Sequence, residues 1–210
     1  MNNNDKILLE QAYSKIYEDN NPFKPATPDD IEDRKQHLIR VANKKVKDYI
    51  KNGSVGPLDL SGTSIQSLPP DLKVGGNLYL HDTPIQSLPS GLEVGGYLDL
   101  YNTPIQSLPP GLKVGGNFDL LDAPIQSLPP DLKVGGGLNL TESPIQSLPS
   151  GLEVGGYLYL NRTPIQSLPD DLKVGGDLCL ADTPIAKKYT EDEIRKMCPG
   201  VKGSICKTYV

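Results

Sequence analysis

The chain has no tryptophan and only two phenylalanines in 210 residues, and its hydrophobic share of 37% is low for a compact globule of this length. A thin core repeated many times fits that composition better than one thick core. Cysteine is scarce too. Cys179, Cys198 and Cys206 stand at irregular spacing and make no disulfide framework, which favours a reduced, intracellular protein and leaves one Cys198–Cys206 bridge open. No apolar run reaches the roughly 18–20 residues needed to span a membrane. The opening MNNNDKILLEQ lacks the basic start and apolar stretch of a secretory signal, so the expected location is the cytoplasm, with no membrane partner. Positive charge is missing from the middle: residues 57–186 carry 5 basic and 14 acidic side chains, against 10 and 9 before them and 6 and 3 after. Such a surface repels phosphate backbones, which excludes nucleic acid as the expected partner.

Glycine (21) and proline (20) are abundant, and without a period they would read as disorder. A period is present. IQSLP begins at Ile65, Ile85, Ile105, Ile125, Ile145 and Ile165, and VGG at Val74, Val94, Val114, Val134, Val154 and Val174, always 20 residues apart. An apolar-x-Leu pair precedes them at Leu58/Leu60, Leu78/Leu80, Leu98/Leu100, Phe118/Leu120, Leu138/Leu140, Leu158/Leu160 and Leu178/Leu180. Seven coils over residues 57–186 therefore form a solenoid. Each L-x-L reads as a short strand with both apolar side chains inward, and Thr83, Ile85, Leu88, Leu92 and Val94 continue the inward set. Pro84 and Pro89 forbid a regular helix between them, and Gly95-Gly96 turns the chain toward the next strand. PSGLE recurs after 60 residues, at Glu93 and Glu153, which points to duplication of a three-coil block.

The coil resembles the short, 20-residue bacterial class of leucine-rich repeat, with its L-x-L/V-x-x-N-x-L-x-x-L-P-x-x-L pattern, found in secreted bacterial effectors and in related phage proteins. The resemblance implies an α/β solenoid with a parallel sheet on the concave face, a helical N-terminal cap over 21–56 and a short helix-strand C-terminal cap over 187–210. One column departs from it. The usual asparagine is replaced by Thr63, Thr83, Thr103, Ala123, Ser143, Thr163 and Thr183. A threonine hydroxyl reaches a neighbouring backbone group, but Ala123 has none, so its coil must satisfy the turn differently.

At the ends, Thr27-Pro28-Asp29-Asp30 starts a helix over 28–52, with an apolar stripe of Ile31, Leu38, Ala42, Val46 and Ile50 and a stop at Asn52-Gly53. Thr190-Glu191-Asp192-Glu193 is a capping box opening a second helix, which Pro199-Gly200 ends, and Ser204–Val210 is a candidate final strand. Residues 1–20 contain a further amphipathic helix over 5–18, read as mobile or as an extra capping element. It resembles short N-terminal helices of tailed-phage proteins, and Leu8-Leu9-Glu10 and Ile16-Tyr17-Glu18 fit the cleavage pattern of large myophages' head-maturation proteases.

The repeats align with themselves, so the outward positions that vary inside the constant frame are the candidate binding surface. They place Tyr79, His81, Tyr97, Asp99, Tyr101, Asp119, Asp122, Tyr157, Tyr159 and Arg162 on one face. Tyrosine offers large contact area at low entropic cost, which suits an interface, although it also has high strand propensity. Asp99 and Asp119 occupy one column on neighbouring strands, where like charges cost stability and a cationic partner would relieve them. Arg162, between Glu142 and Asp182, reads as neutralising its neighbours. The expected function is a non-catalytic adaptor or inhibitor, monomeric and without cofactor or metal, that holds a protein with a basic patch. The alternative is a structural, virion-associated phage protein directed by residues 5–18. An enzyme is not expected: His81-Asp82 has no nucleophile that the frame brings near, and 24 residues after the repeats leave no room for the ubiquitin-ligase domain of the effectors.

Overall fold

A computed structural model of the chain describes residues 28–208. The chain divides into two compact units, residues 1–37 and 38–210, with the division inside a helix. In the first unit the described residues 28–37 are helical, with Gln36 Nε2 donating to Glu32 Oε1 at 2.7 Å and Lys35 Nζ 3.8 Å from Glu32. The N-terminal helix expected over 5–18, with its two candidate cleavage sites, lies outside the described residues.

The second unit is a parallel β-solenoid. Helix α1 (Pro28–Lys51) enters it from residue 38. Then come β1 (Leu58–Asp59), β2 (Lys73–Val74), β3 (Leu78–Tyr79), β4 (Glu93–Val94), β5 (Leu98–Asp99), β6 (Lys113–Val114) and β7 (Phe118–Asp119). The series continues with β8 (Lys133–Val134), β9 (Leu138–Asn139), β10 (Glu153–Val154), β11 (Leu158–Tyr159), β12 (Lys173–Val174) and β13 (Leu178–Cys179). Helices α2 (Pro184–Lys188) and α3 (Glu191–Met197) precede a final strand β14 (Ile205–Cys206). The first sheet has eight strands in the order β1-β3-β5-β7-β9-β11-β13-β14, and the second has six, from β2 to β12.

Every pairing inside the repeats joins residue i to i+20, as Leu78↔Leu98 and Val94↔Val114 do. The L-x-L strands behave as the alternation dictates. Leu78, Leu80, Leu98, Leu100, Phe118 and Leu120 are fully buried, as are the isoleucines from Ile85 to Ile165. These columns join Leu92, Val94 and their equivalents in one core running along the coils. The second ladder was not anticipated. Its strands are only two residues long, and the glycines after each valine let successive backbones approach closely: a Cβ built on Gly155 would collide with the carbonyl oxygen of Gly135. Among the described residues the repeats contain no helix as far as residue 183, as their prolines require, and α2 then begins at Pro184, inside the seventh coil expected to run to 186 and ahead of the cap expected from 187.

The threonine column works as its chemistry predicts. The hydroxyls of Thr63, Thr83, Thr103, Thr163 and Thr183 donate to the carbonyls of Leu60, Leu80, Leu100, Leu160 and Leu180 at 2.6–2.8 Å. In the Ala123 coil only backbone remains: Ala123 N donates to Leu120 O at 3.1 Å, and Ile125 N to Ala123 O at 2.8 Å. The residue before each of these positions turns the chain in the left-handed region, at φ 57° for Asp82, 50° for Asn102 and 57° for Asp122. Aspartate and asparagine tolerate that conformation better than most residues, which accounts for their recurrence there.

The helix α1 stripe is only partly buried. Ala42 and Val46 are buried, and Tyr49 packs beside them, while Ile31, Leu38 and Ile50 are exposed. Ala42, Val46 and Tyr49 follow one line at i, i+4 and i+7, whereas Ile50 is turned about 100° away from Tyr49. The Tyr49 hydroxyl lies 2.7 Å from Ser54 O and 2.9 Å from Gly56 O, tying the helix to the chain entering β1. After the repeats, α3 opens on the expected capping box, with the Thr190 hydroxyl accepting from Glu193 N and the Glu193 carboxylate from Thr190 N. Of the final strand expected over 204–210, the structure forms the two-residue β14, paired in parallel with β13, and residues 209 and 210 lie outside the described residues.

Candidate functional site

The outward positions of the first sheet carry the varied residues, and the structure joins them more closely than their columns alone imply. Tyr79 and Tyr97 meet edge to face, with ring centroids 5.8 Å apart and planes at 73°. Tyr157 and Tyr159 stack at 4.2 Å and 25°. Between the pairs stands Asp119. The Tyr97 hydroxyl donates to Asp119 Oδ2 at 3.1 Å, while Oδ1 accepts from Leu121 N at 2.9 Å and Asn139 Nδ2 at 3.1 Å. Tyr157 leans over Gly137, where a Cβ would collide with its ring. That lean brings the Tyr157 phenol under the influence of the same carboxylate.

The electrostatics record the convergence. Burial, then the charges of Asp119 and Asp99, hold the Tyr97 phenol far above its ordinary range. Burial, then Asp119 and Tyr159, raise that of Tyr157. Tyr159 is raised by burial and by its neighbour Cys179. All three therefore stay protonated well past neutrality, and Tyr97 acts as a hydroxyl donor to a carboxylate.

The Asp99–Asp119 column looks different in three dimensions. Asp99 is 9% exposed, although its side chain lies on the outer face of the sheet. Its Oδ2 lies 2.9 Å from His81 Nδ1, and its Oδ1 accepts from Tyr101 N at 3.0 Å. Donors from the chain itself thus face both carboxylates, and relief of like charge does not by itself require a partner. A local reason for aspartate also emerges. Asp59, Asp99, Asp119 and Asn139 each accept from the backbone N two residues on, which sets the turn after the strand. At Asp59 the Ser61 hydroxyl and N–H hold the carboxyl below its ordinary range.

The other expected residues fall around this centre. Tyr101 is 40% exposed and makes no ring contact among the described residues, and Asp122 is exposed on its left-handed turn. The Arg162 guanidinium bonds Glu142 and lies 4.0 Å from Asp182, the neutralising geometry that its position implies. The sequence reading missed the asparagines and Gly137. Asn77 accepts from Tyr97 N at 2.9 Å and donates to the Tyr79 hydroxyl at 2.8 Å, and Asn117 accepts from Gly137 N at 2.7 Å. Their signal was present in the column Asn77, Tyr97, Asn117, Gly137, Tyr157, where a missing side chain precedes a large one. Among the described residues no group of three or more histidine, cysteine or acidic side chains could hold a metal ion. No described helix is long and apolar enough to cross a membrane.

At the far end of the outward column, Cys179 pairs in register with Cys206, and both are half-buried free thiols. Cys198 is fully buried and also free. Burial, with the hydrogen bond and charge of Cys206, pushes the Cys179 thiol up to about 12. No family model, no curated protein and no solved structure matches this chain.

Proposed function

We propose that this chain is a binding module of the leucine-rich-repeat type, without catalytic activity, that holds a basic protein partner on the outer face of its first sheet. The observation that carries the reading is the hydrogen bond from Tyr97 to Asp119, with the Tyr79–Tyr97 and Tyr157–Tyr159 ring pairs to either side. A carboxylate set among aromatic faces suits a lysine or arginine side chain, which gains both the charge and the ring quadrupoles. The repeats add a wider field, since residues 57–186 carry 14 acidic and 5 basic side chains. That field speeds the encounter with a basic surface, and the rigid aromatics slow its release.

The experiment is affinity capture with wild type, a Tyr97→Ala/Tyr157→Ala variant and a Gln106→Ala/Gln126→Ala control, each checked by melting. The tyrosine variant loses a salt-sensitive basic partner, and the glutamine control keeps it. Equal capture by the tyrosine variant refutes the reading. If that variant binds normally but deletion of residues 1–20 abolishes capture, the function belongs to the N-terminal segment and the virion-associated alternative gains.

A further inference from the structure

We infer that Cys179 and Cys206 together form a two-coordinate thiolate site for a soft monovalent ion of the copper(I) class. The placement rests on strand register. Leu178 pairs with Ile205 and Cys179 with Cys206. Leu178 and Ile205 point into the core, so alternation sends both sulfurs to the outer face. The second cysteine is held firmly. Leu178 N donates to Ser204 O at 2.9 Å, and Leu180 N to Cys206 O at 2.7 Å. Ser204 N donates to Asp177 Oδ1 at 2.7 Å, and Arg195 reaches back to the carbonyls of Val201 and Gly203 at 3.2 and 2.9 Å.

Geometry admits a two-coordinate ligand, and thiolate chemistry selects it. Side chains directly opposite in a parallel ladder leave their strands side by side, about 4.8 Å apart. Cα atoms at that spacing lie within the roughly 4.4–6.8 Å that a disulfide accepts, so oxidation competes for the same pair and the reduced protein is the form that takes the ion. Two metal–thiolate bonds of about 2.3 Å laid end to end span about 4.6 Å, close to the spacing that the ladder supplies. Thiolates favour copper(I), and two of them complete a linear site, whereas zinc would lack two of its four ligands. On binding, two S–H bonds break and two S–metal bonds form. Both protons go to water, and the product is a bis-thiolate complex of charge −1. No electron is transferred. Cys198, sealed in the core, takes no part.

The test is an anaerobic titration of the reduced full chain with copper(I) against a chromogenic chelator, with thiols counted before and after. One ion is withdrawn per chain, two of the three thiols become unreactive, and zinc(II) is not retained. Cys179→Ser and Cys206→Ser each weaken binding roughly 100-fold by removing the chelate partner, while Cys198→Ala leaves it unchanged. Circular dichroism confirms that each variant is folded. Unaltered copper binding in either half-buried variant overturns the inference. So does a folded wild type that withdraws no more copper than the Cys179→Ser/Cys206→Ser double variant.

Discussion

Thr83 and Ser143 occupy equivalent positions 60 residues apart, yet removing their hydroxyls should have opposite effects. Thr83 is 3% exposed, and its hydroxyl donates to Leu80 O at 2.6 Å. Thr83→Ala removes a hydrogen bond with a net value of about 1 kcal/mol and leaves a buried carbonyl short of a donor, which costs about 1 kcal/mol more. The lost methyl adds roughly 0.8 kcal/mol. The total is about 2–3 kcal/mol, a fall in Tm of about 4–12 °C for a chain of this size. Ser143 is 1% exposed, and its Oγ has no hydrogen-bond partner among the described residues. Ser143→Ala discards an unsatisfied buried hydroxyl and should be neutral or stabilising by up to about 1 kcal/mol. Ser143→Thr should stabilise further, because the branched side chain can present its hydroxyl to Leu140 O as the five threonines do to their leucines. Calorimetry on the three variants decides the matter. A Ser143→Ala protein that melts as low as Thr83→Ala would refute the claim that the hydroxyl–carbonyl bond is what the column supplies.

Two further expectations follow from the split between frame and face. Leu100→Ala, at a fully buried position, should cost about 2–5 kcal/mol, whereas Tyr101→Ala, 40% exposed, should cost under about 1 kcal/mol; equal shifts in urea midpoint would contradict the inward/outward assignment. The raised phenols of Tyr97, Tyr157 and Tyr159 favour the folded state while protonated, so their contribution is complete below the ordinary tyrosine range and is lost as pH climbs past about 10. Tyrosinate absorbance should therefore show a late-titrating group that moves to lower pH in Asp119→Asn, and an unchanged titration curve would argue against the convergence on Asp119.

The period made the first sheet and its core readable, because residues 20 apart must stack once a single coil cannot close a core of its own. The alternation around Leu78 and Leu80 then fixed which side chains turn inward. The second ladder escaped because Lys73–Val74 and its equivalents show no alternation beyond one step, and Gly75-Gly76 reads as a turn. The stacking that pairs Leu78 with Leu98 nevertheless brings Val74 opposite Val94. The site was legible only as columns. A column gives Asp99 and Asp119 as facing charges, while their bonds to Tyr101 N and Leu121 N are set by backbone turns that spacing does not encode. The lean of Tyr157 over Gly137 likewise joins strands β9 and β11, and appears only when neighbouring columns are read together.

Ring resonances of tyrosine-labelled protein test the central claim most directly, since the chain holds ten tyrosines and no tryptophan. Titration with the captured partner should shift Tyr97 and Tyr157 most, Tyr79, Tyr101 and Tyr159 less, and leave Tyr49 and Tyr189 in place. Shifts confined to Tyr49 and Tyr189, or to Tyr13 and Tyr17, would contradict binding on this face.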